Sequence, residues 1–423
     1  MNVLNYNWNN IMNFQIDVSN IESDLKPKII VAGVGGAGNN AINNMVEMDL
    51  KGVEFWSLNT DAQVLKECKT KNRLQLGETL TRGLGAGADP SKGKKAAEES
   101  ASDIETMLDG CDMLFITTGM GGGTGTGAAP VLAKIAKEKG ILTVVATTTP
   151  FHFEGARRRS IAAEGIRELR QYVDAMVVIP NQNLFKISNE STTFADAFRK
   201  ADDVLYSAVR SVTDLIVTPG LINLDFADIQ AVMRDMGTAM MGTGEADCEE
   251  NRALKAAELA ISNPLLGKPI RGAKMALVHI AGGDDLTLSE VEEVVRTVEA
   301  HRVDPKAHII FGSSFDQNLE GRIRVSVVAT GLPDDDDDDL HPTHFTDQNA
   351  SAIDDKKNTQ VSANKPRHHN DIVDTQIQQE GKITRSSHNE SMTGSQRENR
   401  AESNDLFEVP SFLRRASTSR KSI

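Results

Sequence analysis

The sequence predicts an α/β protein with a doubly wound parallel sheet, a long central helix, a smaller mixed α/β C-terminal domain and a disordered tail. Three observations lead there. Short apolar runs that end in glycine, such as KIIVAGV (28–34) and MLFITTGM (113–120), alternate with segments of helical spacing. One amphipathic stretch, TFADAFRKADDVLYSAVRSVTDL (193–215), is much longer than its neighbours. At Pro333 the composition turns polar and opens on the run DDDDDD (334–339).

In chain order, residues 1–25 are Asn-rich and non-periodic and read as a mobile tail. A first domain over 26–192 opens with the strand 28–34 and a helix over 36–49. VEFWSLNT (53–60) is the next strand and 91–109 a helix. Strand 113–120 leads to the helix GAAPVLAKIAKEKG (127–140), which stops in glycine. LTVVATTTP (142–150), a helix over 155–173 and AMVVIPNQ (175–182) continue the alternation. A parallel sheet of this kind holds ligands at the carboxyl ends of its strands. The central helix occupies 193–219, and a C-terminal domain follows over 220–332. Its helices lie near 249–261 and 287–300, and its three strands are KMALVHIAG (274–282), HIIFGSSF (308–315) and RIRVSVVATG (322–331). A linker over 333–404 is too polar to offset the entropy of ordering. One apolar island, DLFEVPSFLRRAS (405–417), precedes the last residues, 418–423, and reads as a docking peptide on a flexible tether.

Composition narrows the function. The chain has 423 residues and a formal net charge of -14, which argues against a nucleic-acid binder. A polyphosphate ligand would have to be held by backbone dipoles, a few local cations and a metal ion. Cys68, Cys111 and Cys248 are scattered and contain no CxxC, so neither a disulfide framework nor a zinc site is expected. No apolar run reaches bilayer-spanning length and the N-terminus lacks signal-peptide character, so the expectation is a cytosolic protein.

Two glycine-rich segments carry the chemistry. GVGGAGNN (33–40) follows a strand and opens a helix, so Gly36, Ala37, Gly38, Asn39 and Asn40 can offer backbone amides to an anion. The string also satisfies GxGxxG, which leaves a Rossmann-type oxidoreductase as the competing reading and a plain tight turn as the bland one. The second segment, GGGTGTG, is denser: Gly121, Gly122, Gly123, Gly125 and Gly127 surround Thr124 and Thr126. A turn does not need so many glycines, whose entropic cost is about 0.5–1 kcal/mol each in regular structure. A row of amides around phosphate, with two threonine hydroxyls as further donors, accounts for them. Neither segment has a Walker lysine, and GADPSKGKK (87–95) has the wrong spacing for one. Two glycine segments at neighbouring strand ends suit a nucleoside triphosphate gripped from both sides.

Several single residues remain open on their own chemistry. Glu154 and Arg158 are four apart at a helix start, as in any surface ion pair. Asn181 follows a strand at its carboxyl end. Phe198 and Asp202 are four apart on the long helix; on its own chemistry Phe198 reads as a core contact ahead of a purine platform, and Asp203 competes with Asp202. A buried carboxylate there would match the N1–H and amine donors of guanine and would be left unpaired by adenine. In NLDFAD (223–228), Asp225 and Asp228 are placed to cap a helix, which stabilises by about 1 kcal/mol.

GGGTGTG matches the signature of the tubulin/FtsZ family, and from Lys28 to about Leu332 the chain resembles the bacterial FtsZ branch of that family. The resemblance implies a GTPase that binds GTP and GDP with Mg2+ held mainly by phosphates and water. It implies that Glu154 meets the ribose, that Arg158 lies near the phosphates, and that Asp225 and Asp228, with Asn223 positioning their loop, act on the nucleotide of the next subunit. Such a protein forms a head-to-tail homopolymer at the mid-cell division site, on the cytoplasmic face of the membrane. The peptide 405–417 resembles the segment by which this family binds membrane-anchoring and regulatory division proteins, with Leu406, Phe407, Phe412 and Leu413 as anchors and Arg414 and Arg415 adding charge. The extra N-terminal tail and the aspartate run depart from the family pattern.

Overall fold

A computed structural model describes residues 27–189, 191–217, 222, 225–247, 251–262, 270–301 and 307–333. The expected N-terminal tail, the linker and the docking peptide lie outside the described residues, as do Asn223 and Cys248.

The first strand, β1 (Ile29–Val34), is buried along its whole length and is followed at once by α1 (Gly35–Glu47). Then come β2 (Glu54–Asn59), α2 (Ala62–Glu67), β3 (Asn72–Gln75), α3 (Glu78–Thr81), α4 (Pro90–Glu99), α5 (Ala101–Met107), β4 (Met113–Gly119) and α6 (Thr124–Glu138). The alternation continues through β5 (Leu142–Thr149), α7 (Ala156–Arg170), β6 (Ala175–Pro180) and the long α8 (Phe194–Val217). The rest is α9 (Phe226–Met233), β7 (Gly237–Asp247), α10 (Arg252–Ile261), β8 (Met275–Gly282), α11 (Leu288–His301), β9 (His308–Phe315) and β10 (Arg322–Thr330).

Among the described residues the strands form one sheet in the order β3-β2-β1-β4-β5-β6-β7-β10-β8-β9. From β3 to β6 all neighbours are parallel. Alternate residues of β1 feed two cores: Ile30, Ala32 and Val34 pack with α4 to α7, and Ile29 and Val31 pack with α1, α8 and α9. Helices therefore cover both faces, as the sequence predicts. On α8, Ala201, Leu205, Ala208, Val209, Val212 and Leu215 are buried at helical spacing and hold it against the sheet. A third core lies between α10, α11 and the strands β8 and β10.

Three expectations are corrected. The helix over 91–109 is two helices, α4 and α5, broken at Ser100, whose hydroxyl accepts from the amide of Gly77 at 3.0 Å. The helix expected from 127 begins at Thr124, with Pro130 inside it, so most of the second glycine segment is helix and not loop. Finally, the C-terminal region has a fourth strand. β7 is Gly-containing and weakly patterned, yet it pairs antiparallel with β10 over nine residues and parallel with β6 at Ala175–Gly237 and Met176–Thr238. It joins the parallel and antiparallel parts of the sheet.

Candidate nucleotide-binding site

Both glycine segments leave the carboxyl edge of the parallel sheet from adjacent strands, β1 and β4. Neither α1 nor α6 has a side-chain cap or an acidic residue in its first turn, so their leading amides stay available. The two segments touch. Gly35 has φ +75°, and a Cβ placed on it would lie 2.8 Å from the amide nitrogen of Gly125. Within the first segment Gly36 and Asn40 are half-buried and Ala37 is exposed, whereas Gly38 and Asn39 are buried. Asn39 turns inward: its Nδ2 donates to the Gly33 carbonyl at 2.8 Å, and its Oδ1 accepts from Asn59 Nδ2 at 2.7 Å. Its side chain therefore braces the loop, and only its backbone remains for a ligand.

The second segment has a further reason for its glycines. A Cβ on Gly127 would come within 2.1 Å of the Pro90 carbonyl oxygen on α4, and one on Gly125 within 2.5 Å of Thr118 Oγ1. These positions let α6 lie directly on α4 and on the end of β4. Gly122 is different, because nothing lies within 4 Å of a Cβ built there. Thr126 is buried and accepts from the amide of Gly121 at 2.9 Å, while Thr124 is half-buried at the helix start. Gly123 packs against the backbone of Asp89, which brings in a third segment, Gly83–Asp89. Gly83, Gly85, Gly87 and Ala88 all have positive φ, so this loop is tightly wound beside the N-terminus of α6. The sequence reading passed over it as a failed Walker motif; the alternation GLGAGA (83–88) was the available signal.

The ends of β5 and β6 add side chains to the same edge. The Glu154 side chain is 7 % exposed; its Oε1 accepts from the Phe151 amide at 2.8 Å and its Oε2 lies 3.2 Å from Arg158 Nε. Asn181 immediately follows β6 and is 7 % exposed, and its Oδ1 has no hydrogen-bond partner among the described residues. An orphaned acceptor of this kind is uncommon in a folded protein and fits a ligand donor. Phe198 meets the ring of Phe151 edge-on at 5.5 Å, beside Leu184 and Ala201, so the core-contact reading holds for at least one ring edge. One turn further along α8, burial first and the charge of Asp203 second hold the Asp202 carboxyl well above the ordinary carboxylate range. Asp203 accepts from Asn44 Nδ2 on α1 at 2.9 Å.

The acid pair is elsewhere. Asp225 is the N-cap of α9: its Oδ1 accepts from the Asp228 amide at 2.8 Å, and Asp228 Oδ2 accepts from the Asp225 amide at 3.3 Å. The expected cap is thus present. From Phe198 at the carboxyl edge, α8 continues to Val217, about 30 Å at 1.5 Å per residue. Beyond it α9 ends with Arg234 donating to the Gly140 carbonyl and Asp235 to the Asp174 side chain, at the amino ends of β5 and β6. Within one chain the helix that the acids cap is anchored by its far end at the amino edge, opposite the edge that the glycine segments leave.

Comparison with known proteins gives the family. A profile described as "Tubulin/FtsZ family, GTPase domain" matches residues 28–189, and one described as "FtsZ family, C-terminal domain" matches 237–333. The cell division protein FtsZ of Rickettsia conorii is 58% identical over 321 residues, which cover 76% of this chain and 70% of the relative. The chain belongs to the tubulin/FtsZ family. The cell division protein FtsZ of Caulobacter vibrioides is 61% identical over 311 residues, 73% of this chain and 61% of that protein. The match thus spans about three-fifths of that relative's length. Among solved structures, a member of the tubulin/FtsZ family from M. jannaschii, titled as an empty FtsZ dimer, superposes with a TM-score of 0.69 at 47% identity, covering 74% of this chain and 91% of that one. The CetZ2 structure from Haloferax volcanii, at 22% identity and a TM-score of 0.62, shares the tubulin/FtsZ fold. The oxidoreductase alternative finds no support in these matches.

Proposed function

We propose that this chain binds and hydrolyses GTP and that its active centre is completed only between copies stacked head to tail. The observation that carries the reading is the separation just described: two amide-rich glycine segments at one edge of the sheet, and the helix capped by the acid pair anchored at the other. A head-to-tail contact between copies brings those two edges together. Such a contact is heterologous, does not close on itself and builds a filament. The FtsZ relatives are named as cell division proteins, and the M. jannaschii FtsZ is described as a dimer.

In this reading the amides of Gly36–Asn40 and Gly121–Gly127 hold the phosphates, with Thr124 adding a hydroxyl. Glu154 accepts from the ribose through oxygen lone pairs that Phe151 and Arg158 leave open, and Arg158 adds charge near the phosphates. The unsatisfied Asn181 Oδ1 and the buried Asp202 read the base, and the face of Phe198 packs on it. Asp202 is favoured over Asp203, which Asn44 already engages. Asp228 and Asp225 of the next copy position the attacking water, with Asn223 setting their loop; phosphoryl transfer depends mostly on such positioning and on charge stabilisation. Mg2+ would sit mainly on the phosphates and water, where it offsets the phosphoryl charge.

No described helix is long and apolar enough to cross a membrane. In the proposed arrangement the GTP-binding domain spans 26–192 and the C-terminal domain 220–332, and adaptors bound by the peptide 405–417, with the linker 333–404 as tether, place the protein at the division site. The decisive measurement is phosphate release from GTP against protein concentration. The expected result is a threshold that coincides with the onset of light scattering. Simple proportionality far below that onset would refute the shared site.

A further inference from the structure

The end of β2 is the part of the site that none of the glycine segments explains. Asn59 and Thr60 follow each other there, and both are buried. Asn59 braces the first segment through Asn39, as described above. The Thr60 carbonyl accepts from the Gly85 amide at 3.1 Å and from Thr81 Oγ1 at 3.2 Å, which pins the 83–89 loop. The Thr60 hydroxyl lies 2.6 Å from Thr124 Oγ1, the first residue of α6. A single residue thus holds the loop through its backbone and α6 through its side chain.

We propose that Thr60 is a positioning residue that aims the Thr124 hydroxyl at a nucleotide phosphate. The inference rests on the GTP-binding reading given above. Either hydroxyl of the pair can be the donor in the free protein. A phosphate oxygen only accepts, so toward a bound nucleotide the Thr124 hydroxyl is the donor. Thr124 Oγ1 is then free to accept from Thr60, and the two hydroxyls line up as Thr60 to Thr124 to phosphate. Chains of this kind polarise each member toward the acceptor, and the anion strengthens the hydrogen bond nearest to it. Thr60 has nothing to gain from a nucleoside without phosphates.

The test is nucleotide binding by the full chain, below the assembly threshold, with GTP, GDP and guanosine titrated separately. Thr60→Val keeps the shape and removes the hydroxyl, whereas Thr60→Ser keeps the hydroxyl. Thr60→Val is expected to weaken GTP and GDP by about five- to ten-fold, the upper part of the range for one hydrogen bond between neutral groups, because the anion polarises the pair. Guanosine binding and the Thr60→Ser variant should stay within about two-fold of wild type. In a Thr124→Val background, Thr60→Val should add nothing further, because its route to the phosphate is gone. Additive losses, equal losses for guanosine, equal losses for Thr60→Ser, or no loss in Thr60→Val would each overturn the inference. Failure of the wild-type chain to bind GTP would instead defeat the underlying functional reading.

Discussion

Replacing Asp228 separates the capping role seen in the structure from the water-positioning role proposed for it. Its carboxylate accepts from the Asp225 amide at 3.3 Å, and its own amide donates to the Asp225 carboxylate at 2.8 Å, which closes a reciprocal cap. Caps of this kind are worth about 1 kcal/mol, and about 2 at most. A fold stable by about 5–15 kcal/mol stays almost wholly native after losing that much. If capping were the whole role, Asp228→Ala would lower the unfolding midpoint slightly and leave turnover per subunit unchanged. Loss of a water-positioning acid instead costs about 100-fold or more. Asp228→Asn sharpens the contrast, because an amide oxygen can still accept the cap bond while the charge is lost. We expect Asp228→Asn to change stability by less than about 0.5 kcal/mol and to lower GTP turnover by about 100-fold. A mixing assay then locates the damage. Gly122→Asp places a negative charge in the phosphate-facing segment at a position with open space. Each variant alone should be nearly inactive. In a random mixed filament, about a quarter of contacts pair the intact glycine segments of one variant with the intact acids of the other, and phosphate release should recover accordingly. Filaments that contain both variants but release no more phosphate than their parts would refute the reasoning.

Further outcomes follow from single groups. Burial and Asp203 raise the Asp202 carboxyl, so the folded state holds its proton more tightly than the unfolded state and stability falls as pH rises above 3.8. Asp202→Asn should therefore raise the melting temperature of nucleotide-free protein at neutral pH and weaken GTP binding, as read by calorimetry. His279 is buried on β8, bonds Ser314 Oγ at 2.8 Å and is depressed by burial to about 4 from an ordinary 6.5. The unfolded chain takes up that proton first, so stability is lost as pH falls from 6.5 towards 4, by about 3 kcal/mol. Denaturation of His279→Asn at several pH values should show a shallower acid slope, whatever its stability at pH 7. Gly127→Ala forces a Cβ against Pro90 and should cost at least about 1–3 kcal/mol, measured by urea unfolding.

Much of this was legible in the sequence because apolar period and glycine punctuation agree with the tertiary structure over the parallel strands. β1, β4 and β9 fall where their runs predict, and α8 where its long apolar stripe does. What was hidden needed partners from far along the chain. β7 carries glycines and alanines because α10 packs on it, where a Cβ on Gly244 would lie 2.1 Å from the Ala256 carbonyl oxygen, and local propensity does not see that neighbour. The start of α6 was missed because glycine is a poor helix former in isolation, yet here it is required by contact with α4. The roles of Asn59 and Thr60 depend on Asn39 and Thr124, 20 and 64 residues away, and no spacing rule reaches them.

The crossing of α6 over α4 has a consequence for how the molecule can be altered. Backbone rests on backbone there, with Gly127 against Pro90 and Gly93 against Gly123. No residue is smaller than glycine, so no exchange of side chains can draw the two helices closer, and any exchange must wedge them apart. The gap is a fixed dimension of the scaffold, like a machined shoulder, and it sets how far the first turn of α6 stands from α4. Redesign of the ligand grip would have to move the loops around that shoulder and leave the shoulder alone.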